Sequence, residues 1–225
     1  MGAKSRRIGA ITIGQSPRTD VVPEMLEILG PDVELVQGGA LDGLTNSQVA
    51  ELAPQPGDYV LVTKLRDGTT VHVAEHHILP RMQAQIDRVT EAGVEVVALL
   101  CTGEFPPFNC PRLLVKPQLV LHHFVAALAA GRRLGVVVPA REQVEQGYTR
   151  WQDVAGQVHV EEGSPYGDIS ELERAAGVLR EWRADLVVLD CIGFTKAMKA
   201  RAAEIAAAPV ILPRTVVART LSELL

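Results

Sequence analysis

Short, continuous apolar segments alternate along this chain with longer segments in which apolar residues recur at helical spacing. The apolar segments predict strands, because strands of a parallel sheet that is covered on both faces carry unbroken apolar runs. The longer segments predict amphipathic helices. Strands are predicted at residues 7–13, 33–37, 94–100, 112–116, 133–139, 185–190 and 209–213. Helices are predicted at residues 20–29, 46–53, 76–92, 117–130, 141–155, 168–183, 195–207 and 215–224.

One segment departs from this alternation. Residues 59–73, YVLVTKLRDGTTVHV, alternate between apolar and polar positions around an Asp-Gly pair, which predicts a β-hairpin. We therefore expect a mostly parallel sheet with an antiparallel addition. The edge of such a hairpin would suit pairing with a second copy of the chain, as a homodimer.

The fold class that this pattern predicts is α/β, with two similar βαβ halves, mostly parallel sheets and an inserted β-hairpin. We expect a first domain of residues 1–116 plus 214–225 and a second domain of residues 117–213. Ligands of α/β sheets bind outside the carboxyl ends of the strands, so a site is expected there, between the two halves.

Composition excludes several function classes. The chain of 225 residues is 47% hydrophobic and 22% charged, with a net charge of −5 and no basic stripe, so we expect no nucleic-acid partner. No apolar run approaches the roughly 18 residues of a membrane span, and the apolar start is read as a strand and not as a signal peptide. Three cysteines do not suit a disulfide framework, so a reducing cytoplasm is expected.

Two cysteines stand at the ends of predicted strands. Cys101 lies in LLCTGEF and Cys191 in LDCIGF, and a glycine follows each cysteine two residues later, at Gly103 and Gly193. A cysteine in such a place can simply pack in the core. However, a glycine turn at a strand end brings backbone amides towards a ligand, and this environment lowers the pKa of a thiol. We therefore interpret both cysteines as candidate catalytic residues.

Two thiols on opposite walls of a cleft suit proton transfer at a carbon centre. One thiolate removes a proton from one face while one thiol delivers a proton to the other face, which inverts a stereocentre without a cofactor. Because Thr102 gives Cys101 a polar neighbour and Ile192 gives Cys191 an apolar one, Cys101 is expected to ionise more readily. Cys110 follows two prolines and is expected to be structural.

The loop after the first strand is a candidate anion site. It contains Gln15, Ser16, Arg18 and Thr19, and a helix is predicted to start near Asp20. Backbone amides, two hydroxyls and a guanidinium at a helix N-terminus would bind a carboxylate or a phosphate. The alternative is that Ser16 and Thr19 only cap the helix and that Arg18 is solvated.

A metal site is not expected, because the six histidines do not follow a metal-ligand spacing. Asp190 precedes Cys191 in a predicted strand, so its side chain should face away from the thiol. It would then be a buried structural carboxylate, or a helper that reaches the thiol through a bulge.

Several segments together resemble the AroM family along essentially the whole chain. They are ITIGQSPRTDVVPEM, LVTKLRDGTTVHV, LLCTGEF, GVVVP, LDCIGF and PVILPRTVVARTLSEL. More distantly the layout is similar to the aspartate/glutamate/hydantoin racemase superfamily, whose members have two similar α/β halves with a catalytic cysteine on each. The resemblance implies that Cys101 and Cys191 are the two thiols and that Thr102 is the polar residue after the first.

The resemblance also implies that Ser16, Arg18 and Thr19 help to bind a substrate carboxylate. The chain departs from the amino-acid racemases at Ile192, where threonine is common, and in its hairpin. The resulting hypothesis is a cytoplasmic, cofactor-independent racemase or epimerase of a small carboxylate-bearing compound, an amino acid or a cyclic derivative. The predicted binding residues are Gln15, Ser16, Arg18, Thr19, Thr102, Gly103 and Gly193. The alternatives are a maleate-type cis–trans isomerase with a cysteine nucleophile and a non-enzymatic small-molecule-binding protein.

Overall fold

The computed structural model describes residues 6–225, so residues 1–5 of the first predicted domain lie outside the described residues. The chain divides into two compact units. One contains the residues up to Pro117 together with Val217–Leu225, and the other contains Gln118–Val216. No helix within residues 6–225 has both the length and the apolar character that crossing a membrane requires.

Strands and helices alternate in both units. The first part of the chain contains β1 (Arg6–Thr12), α1 (Val22–Leu29), β2 (Val33–Gly39), α2 (Asn46–Ala50), β3 (Val60–Lys64), β4 (Thr70–Ala74), α3 (Glu75–Glu91), β5 (Val96–Leu99) and β6 (Leu113–Val115). The rest contains α4 (Pro117–Ala129), β7 (Arg133–Val138), α5 (Val144–Trp151), β8 (Gln157–Glu162), α6 (Ile169–Glu181), β9 (Leu186–Leu189), α7 (Lys196–Ala206), β10 (Val210–Ile211) and α8 (Pro213–Glu223).

A parallel sheet with the strand order β2-β1-β5-β6 forms the centre of the first unit. Of its inner strands, β5 is apolar and buried throughout and β1 is buried from Ile8 onward, as expected for strands covered on both faces. Helix α3 packs on this sheet so closely that a Cβ atom at Gly9 would lie 2.7 Å from a methyl group of Val89. The buried residues that α3 contributes are Ile78, Met82, Ile86 and Val89.

The predicted hairpin is present as β3 and β4, which pair antiparallel around Asp67 and Gly68. Gly68 has a φ of 91°, and the Asp67 carboxylate accepts a hydrogen bond of 2.8 Å from the Thr69 amide. These features are typical of a tight turn. The hairpin forms a two-stranded sheet of its own, so the expectation of an antiparallel addition to the main sheet is wrong.

The second unit has a parallel sheet with the strand order β10-β9-β7-β8. The apolar pattern of the sequence does not predict strand β8. This strand lies at the sheet edge, and its sequence QVHVEE is only partly apolar, so it lacks the continuous apolar run used to predict the other strands. The predicted helix at residues 141–155 is shorter in the structure, where a 3-10 turn at Arg141–Gln143 precedes α5.

The two units therefore share one architecture, a four-stranded parallel sheet with helices. This confirms the predicted α/β class with two similar, mostly parallel halves and an inserted hairpin. In each unit, an inner strand ends directly before a residue pair that includes a cysteine, β5 before Leu100-Cys101 and β9 before Asp190-Cys191.

Candidate functional site

Cys101 begins the turn that follows β5. The chain still pairs with β1 at Leu100, whose amide donates to the Ile11 carbonyl, and it leaves the sheet at Cys101. The Gly103 amide then points back and donates to the Cys101 sulfur at 3.4 Å. A Cβ atom at Gly103 would lie 2.8 Å from a methyl group of Leu61, so only glycine fits this turn without a shift of its neighbours.

Cys191 begins an equivalent turn after β9. The Gly193 amide donates to the Cys191 sulfur, also at 3.4 Å. A Cβ atom at Gly193 would lie 2.6 Å from the ring carbon Cζ of Tyr166, so glycine is again needed. The repeated Cys-x-Gly spacing therefore has a local physical basis in both units. A hydrogen bond donated to sulfur favours the ionised form of a thiol.

Tyr166 is a neighbour of Cys191 that the sequence analysis missed. Its hydroxyl lies 3.9 Å from the Cys191 sulfur. Tyr166 belongs to the loop between β8 and α6, where its amide donates to the Ser164 hydroxyl at 3.1 Å. The sequence did not point to Tyr166, because strand β8, whose carboxyl end leads into this loop, was not predicted. The apolar surroundings that Ile192 predicts for Cys191 also include one polar group, the Tyr166 phenol.

Arg214 is a second residue that the sequence analysis missed. Its side chain is fully buried at the start of α8. The guanidinium donates to the Ile192 carbonyl at 3.1 Å and to the Gly193 carbonyl at 2.7 Å. A buried guanidinium thus holds the backbone of the turn that begins with Cys191.

Asp190 faces away from the thiol, as the alternation of a strand predicts. Its carboxylate accepts hydrogen bonds from Arg150 at 2.6 Å and from the Trp151 indole at 2.7 Å, and all three side chains are buried. Of the two roles considered for Asp190, these contacts favour the buried structural carboxylate. This ion pair ties α5 to the end of β9, directly before Cys191.

The loop after β1 differs from the predicted anion cradle. Helix α1 begins at Val22, and no side chain caps it, so neither Ser16 nor Thr19 acts as its cap. The Ser16 hydroxyl and amide donate to the Asp42 carboxylate at 2.5 and 2.8 Å. Arg18 is not solvated either, because its side chain is buried.

Arg18 makes a bidentate ion pair within the same loop. Two of its nitrogens lie 2.8 Å from the two Asp20 carboxylate oxygens, and a third donates to the Thr12 hydroxyl at 2.9 Å. Carboxylates of the chain itself therefore occupy the geometry that was predicted to bind a substrate carboxylate. Gln15 is also engaged, since its side chain accepts a hydrogen bond from the Arg66 amide at 3.0 Å.

Asp42 connects this loop to the hairpin, because it also receives a hydrogen bond from Arg66 at 2.8 Å. Burial raises the pKa of Asp42. The hydrogen bonds from Ser16, the Gly39 amide and Arg66 together lower this pKa by more than burial raises it, so it lies below the usual 3.8. Asp42 is therefore an ionised anchor of the loop at neutral pH.

A pocket of about 230 Å³ opens between the β1 loop and the hairpin. Of the predicted binding residues, Gln15, Arg18 and Thr19 line it, and Thr19 is exposed. The hairpin contributes Lys64 and Arg66 to the same wall. Ser16 does not line this pocket, and Thr102 and Gly103 belong to the Cys101 turn.

Cys110 is half-buried and packs against the apolar core of the first unit. None of the three cysteines, all within residues 6–225, forms a disulfide. The described residues contain no group of three or more His, Cys, Asp or Glu side chains that could hold a metal ion.

The sequence model described as AroM protein matches residues 8–225. The chain belongs to the AroM family. No curated protein matches this AroM family member at a significant level.

The fold of this AroM family member is similar to that of several solved structures. An aspartate racemase from Picrophilus torridus has a TM-score of 0.61 and 12% identity, over 97% of this chain and 93% of that one. The maleate isomerase Iso from Pseudomonas putida S16 has a TM-score of 0.61 and 12% identity, over 97% and 92%. An unliganded arylmalonate decarboxylase has a TM-score of 0.62 and 15% identity, over 96% and 92%. Identities this low establish a shared fold and nothing finer.

Proposed function

We propose that the protein is a cofactor-independent racemase or epimerase of a small carboxylate-bearing compound, an amino acid or a cyclic derivative of one. Cys101 and Cys191 act as its two acid/base groups. The observation that carries the proposal is the repeated turn. In each unit an inner parallel strand ends next to a cysteine whose sulfur accepts a backbone amide at 3.4 Å. The racemases and isomerases among the proteins of similar fold support the same class of reaction.

The chemistry needs one thiolate and one thiol at the start. The thiolate removes the α-proton and becomes a thiol, while the other thiol gives its proton to the opposite face and becomes a thiolate. The product contains the same atoms with inverted configuration, and the reverse reaction restores the first state. The Gly103 and Gly193 amides stabilise whichever sulfur is ionised.

Substrate binding is assigned differently from the sequence expectation. Ser16 and Arg18 keep the β1 loop in shape through Asp42 and Asp20. Within the proposal, Thr19, Thr102 and backbone amides of the turns hold the substrate carboxylate and stabilise the enolate-like transition state.

Hydrogen exchange in D₂O tests the proposal directly. The protein is incubated with a panel of amino acids and hydantoins, and deuterium at the α-carbon is followed by NMR together with optical rotation. We expect exchange and inversion for at least one compound. Cys101→Ser and Cys191→Ser should each abolish inversion, because each removes one of the two acid/base groups. Cys110→Ser is the matched control and should retain activity. Absence of exchange in every compound of the panel that binds measurably would refute proton transfer.

A maleate-type cis–trans isomerase is the second candidate. A maleate cis–trans isomerase from Nocardia farcinica, whose structure holds a covalently bound succinylcysteine intermediate, shares this fold with a TM-score of 0.58 and 14% identity. In this alternative a cysteine thiolate adds to the double bond of the substrate. Incubation with maleate followed by peptide mass spectrometry distinguishes the two reactions, because an adduct of one substrate molecule on Cys101 or Cys191 favours the isomerase.

A non-enzymatic binding protein is the remaining alternative from the sequence. It predicts that Cys101→Ala and Cys191→Ala leave ligand affinity unchanged and that no compound in the panel is converted. Isothermal titration of both variants with any ligand found in the panel measures this outcome.

A further inference from the structure

The peptide group between Ile192 and Gly193 has a partner at each end. Its carbonyl oxygen accepts a hydrogen bond from the buried Arg214 guanidinium at 3.1 Å, and its N–H donates to the Cys191 sulfur at 3.4 Å. The charge of Arg214 therefore lies one peptide group away from the sulfur. A cation on the carbonyl side polarises the peptide group, which makes its N–H a stronger donor.

A second polar group reaches the sulfur from another element. The Tyr166 hydroxyl lies 3.9 Å from the Cys191 sulfur and comes from the loop between β8 and α6. Tyr166 is half-buried, and its ring packs against the core cluster that contains Cys191. A phenol can donate its proton to a thiolate, so this contact also favours the charged sulfur.

We propose that Arg214 and Tyr166 are positioning residues that favour the ionised form of Cys191, so that Cys191 is the thiolate and Cys101 the thiol in the resting protein. This inference rests on the proposed function only in taking Cys191 as a working group. It reverses the expectation from the sequence that Cys101 ionises more readily.

Burial opposes this effect. Cys191 is 7% exposed and packs among apolar side chains such as Leu189 and Phe194, and an apolar environment disfavours a thiolate. The Gly193 amide, the Tyr166 hydroxyl and the charge of the buried Arg214 guanidinium act against this penalty. The proposal requires these contributions together to exceed the loss of solvation, and the titration described below measures that balance.

Other charged groups on the neighbouring elements have assigned partners or lie farther along the chain. Asp190, next to Cys191, is bonded to Arg150 and Trp151. Glu171 on α6 accepts from the Ser164 amide at 3.2 Å. Lys196, the first residue of α7, carries a positive charge, as Arg214 does.

Thiolate absorbance near 240 nm measures the ionisation without a substrate. Each protein is titrated from about pH 5 to pH 9.5 with and without the substitution Cys191→Ser, and the difference in absorbance is the signal of the Cys191 thiolate. The substitution Cys101→Ser gives the signal of the Cys101 thiolate in the same way. We expect the Cys191 midpoint to lie below the usual value of about 8.5 and below the Cys101 midpoint.

Two variants test the assigned residues. Tyr166→Phe removes only the hydroxyl and should raise the Cys191 midpoint by about one pH unit, while Tyr148→Phe, a half-buried tyrosine of the same unit, should leave it unchanged. Arg214→Met should raise the midpoint by at least as much, and Arg214→Lys should restore part of the difference because it keeps a cation. If Arg214→Met does not fold, as judged by circular dichroism, Tyr166→Phe still tests the proposal.

The outcomes are distinct from those of the exchange experiment. A Cys191 midpoint at or above that of Cys101, or an unchanged midpoint in Tyr166→Phe, would overturn the inference whether or not any substrate is racemised. A lowered midpoint that depends on Tyr166 and Arg214 would support it even if no compound of the exchange panel reacts.

Discussion

Gly14 is the point at which the inserted hairpin closes on the loop after β1. A Cβ atom there would lie within 3.0 Å of the Thr63 hydroxyl oxygen and at 3.0 Å from the Lys64 carbonyl oxygen, both on β3. Thr63 is fully buried, and within the described residues its hydroxyl has no hydrogen-bond partner. Gly14→Ala therefore forces β3 away from the loop that carries Gln15 and Arg18.

The size of this effect follows from which atoms can move. Overpacking a well-packed site typically costs about 1–3 kcal/mol. Because one of the two obstructing atoms at Gly14 belongs to the backbone, we expect a loss of about 2–3 kcal/mol in the free energy of unfolding. Thr63→Ala removes the nearer atom together with a buried hydroxyl that lacks a partner. Loss of the Thr63 methyl group costs about 0.8 kcal/mol, and removal of the unpartnered buried hydroxyl largely offsets this cost. Thr63→Ala alone should therefore leave the free energy of unfolding nearly unchanged.

Urea unfolding followed by far-ultraviolet circular dichroism measures these free energies. In the double variant Gly14→Ala with Thr63→Ala, we expect recovery of about 1–2 kcal/mol relative to Gly14→Ala alone. The matched control is Gly177→Ala on α6, where no atom lies within 4 Å of the added Cβ, so stability should rise by up to about 1 kcal/mol. If Gly14→Ala is as stable as the original protein, or if Thr63→Ala restores nothing, the close approach of the hairpin is refuted.

Three further predictions concern the residues around the two sites. Asp190→Asn removes the charge that Arg150 contacts inside the second unit and should lower the free energy of unfolding by about 3 kcal/mol, measured by urea unfolding. Because the folded pKa of Asp42 is depressed, its contribution is present above about pH 4 and is lost as pH falls, so the stability difference between the protein and Asp42→Asn should shrink in acid. Gly193→Ala should displace the Tyr166 ring and, in the absorbance titration, raise the Cys191 midpoint as Tyr166→Phe does.

Local patterns account for what the sequence analysis predicted. The Cys-x-Gly turns and the hairpin were predicted because each depends on residues that are adjacent in the chain, such as Asp67 with Gly68 or Cys191 with Gly193. Continuous apolar runs similarly identified seven strands of the two parallel sheets. Strand β8 of these sheets was not predicted, because an edge strand needs no unbroken apolar sequence.

Partners that are distant in sequence account for what was missed. Asp42 lies 26 residues from Ser16, and Arg214 lies 22 residues from Ile192. No spacing rule connects such pairs, because the folded sheet and not the local backbone brings them together. For this reason the sequence showed that the β1 loop is rich in polar groups. It could not show that Ser16 already donates a hydrogen bond to Asp42 and that Arg18 already pairs with Asp20.

The division of the chain also bears on the order in which the protein folds during synthesis. The second unit is an unbroken stretch, Gln118–Val216, whereas the first unit needs Val217–Leu225, which are synthesised after the whole second unit. Val217, Ala218 and Leu221 of this segment are buried, so the earlier part of the first unit must wait for them with apolar surface exposed. Although its strands are made first, the unit that carries Cys101 is therefore the later of the two to be completed.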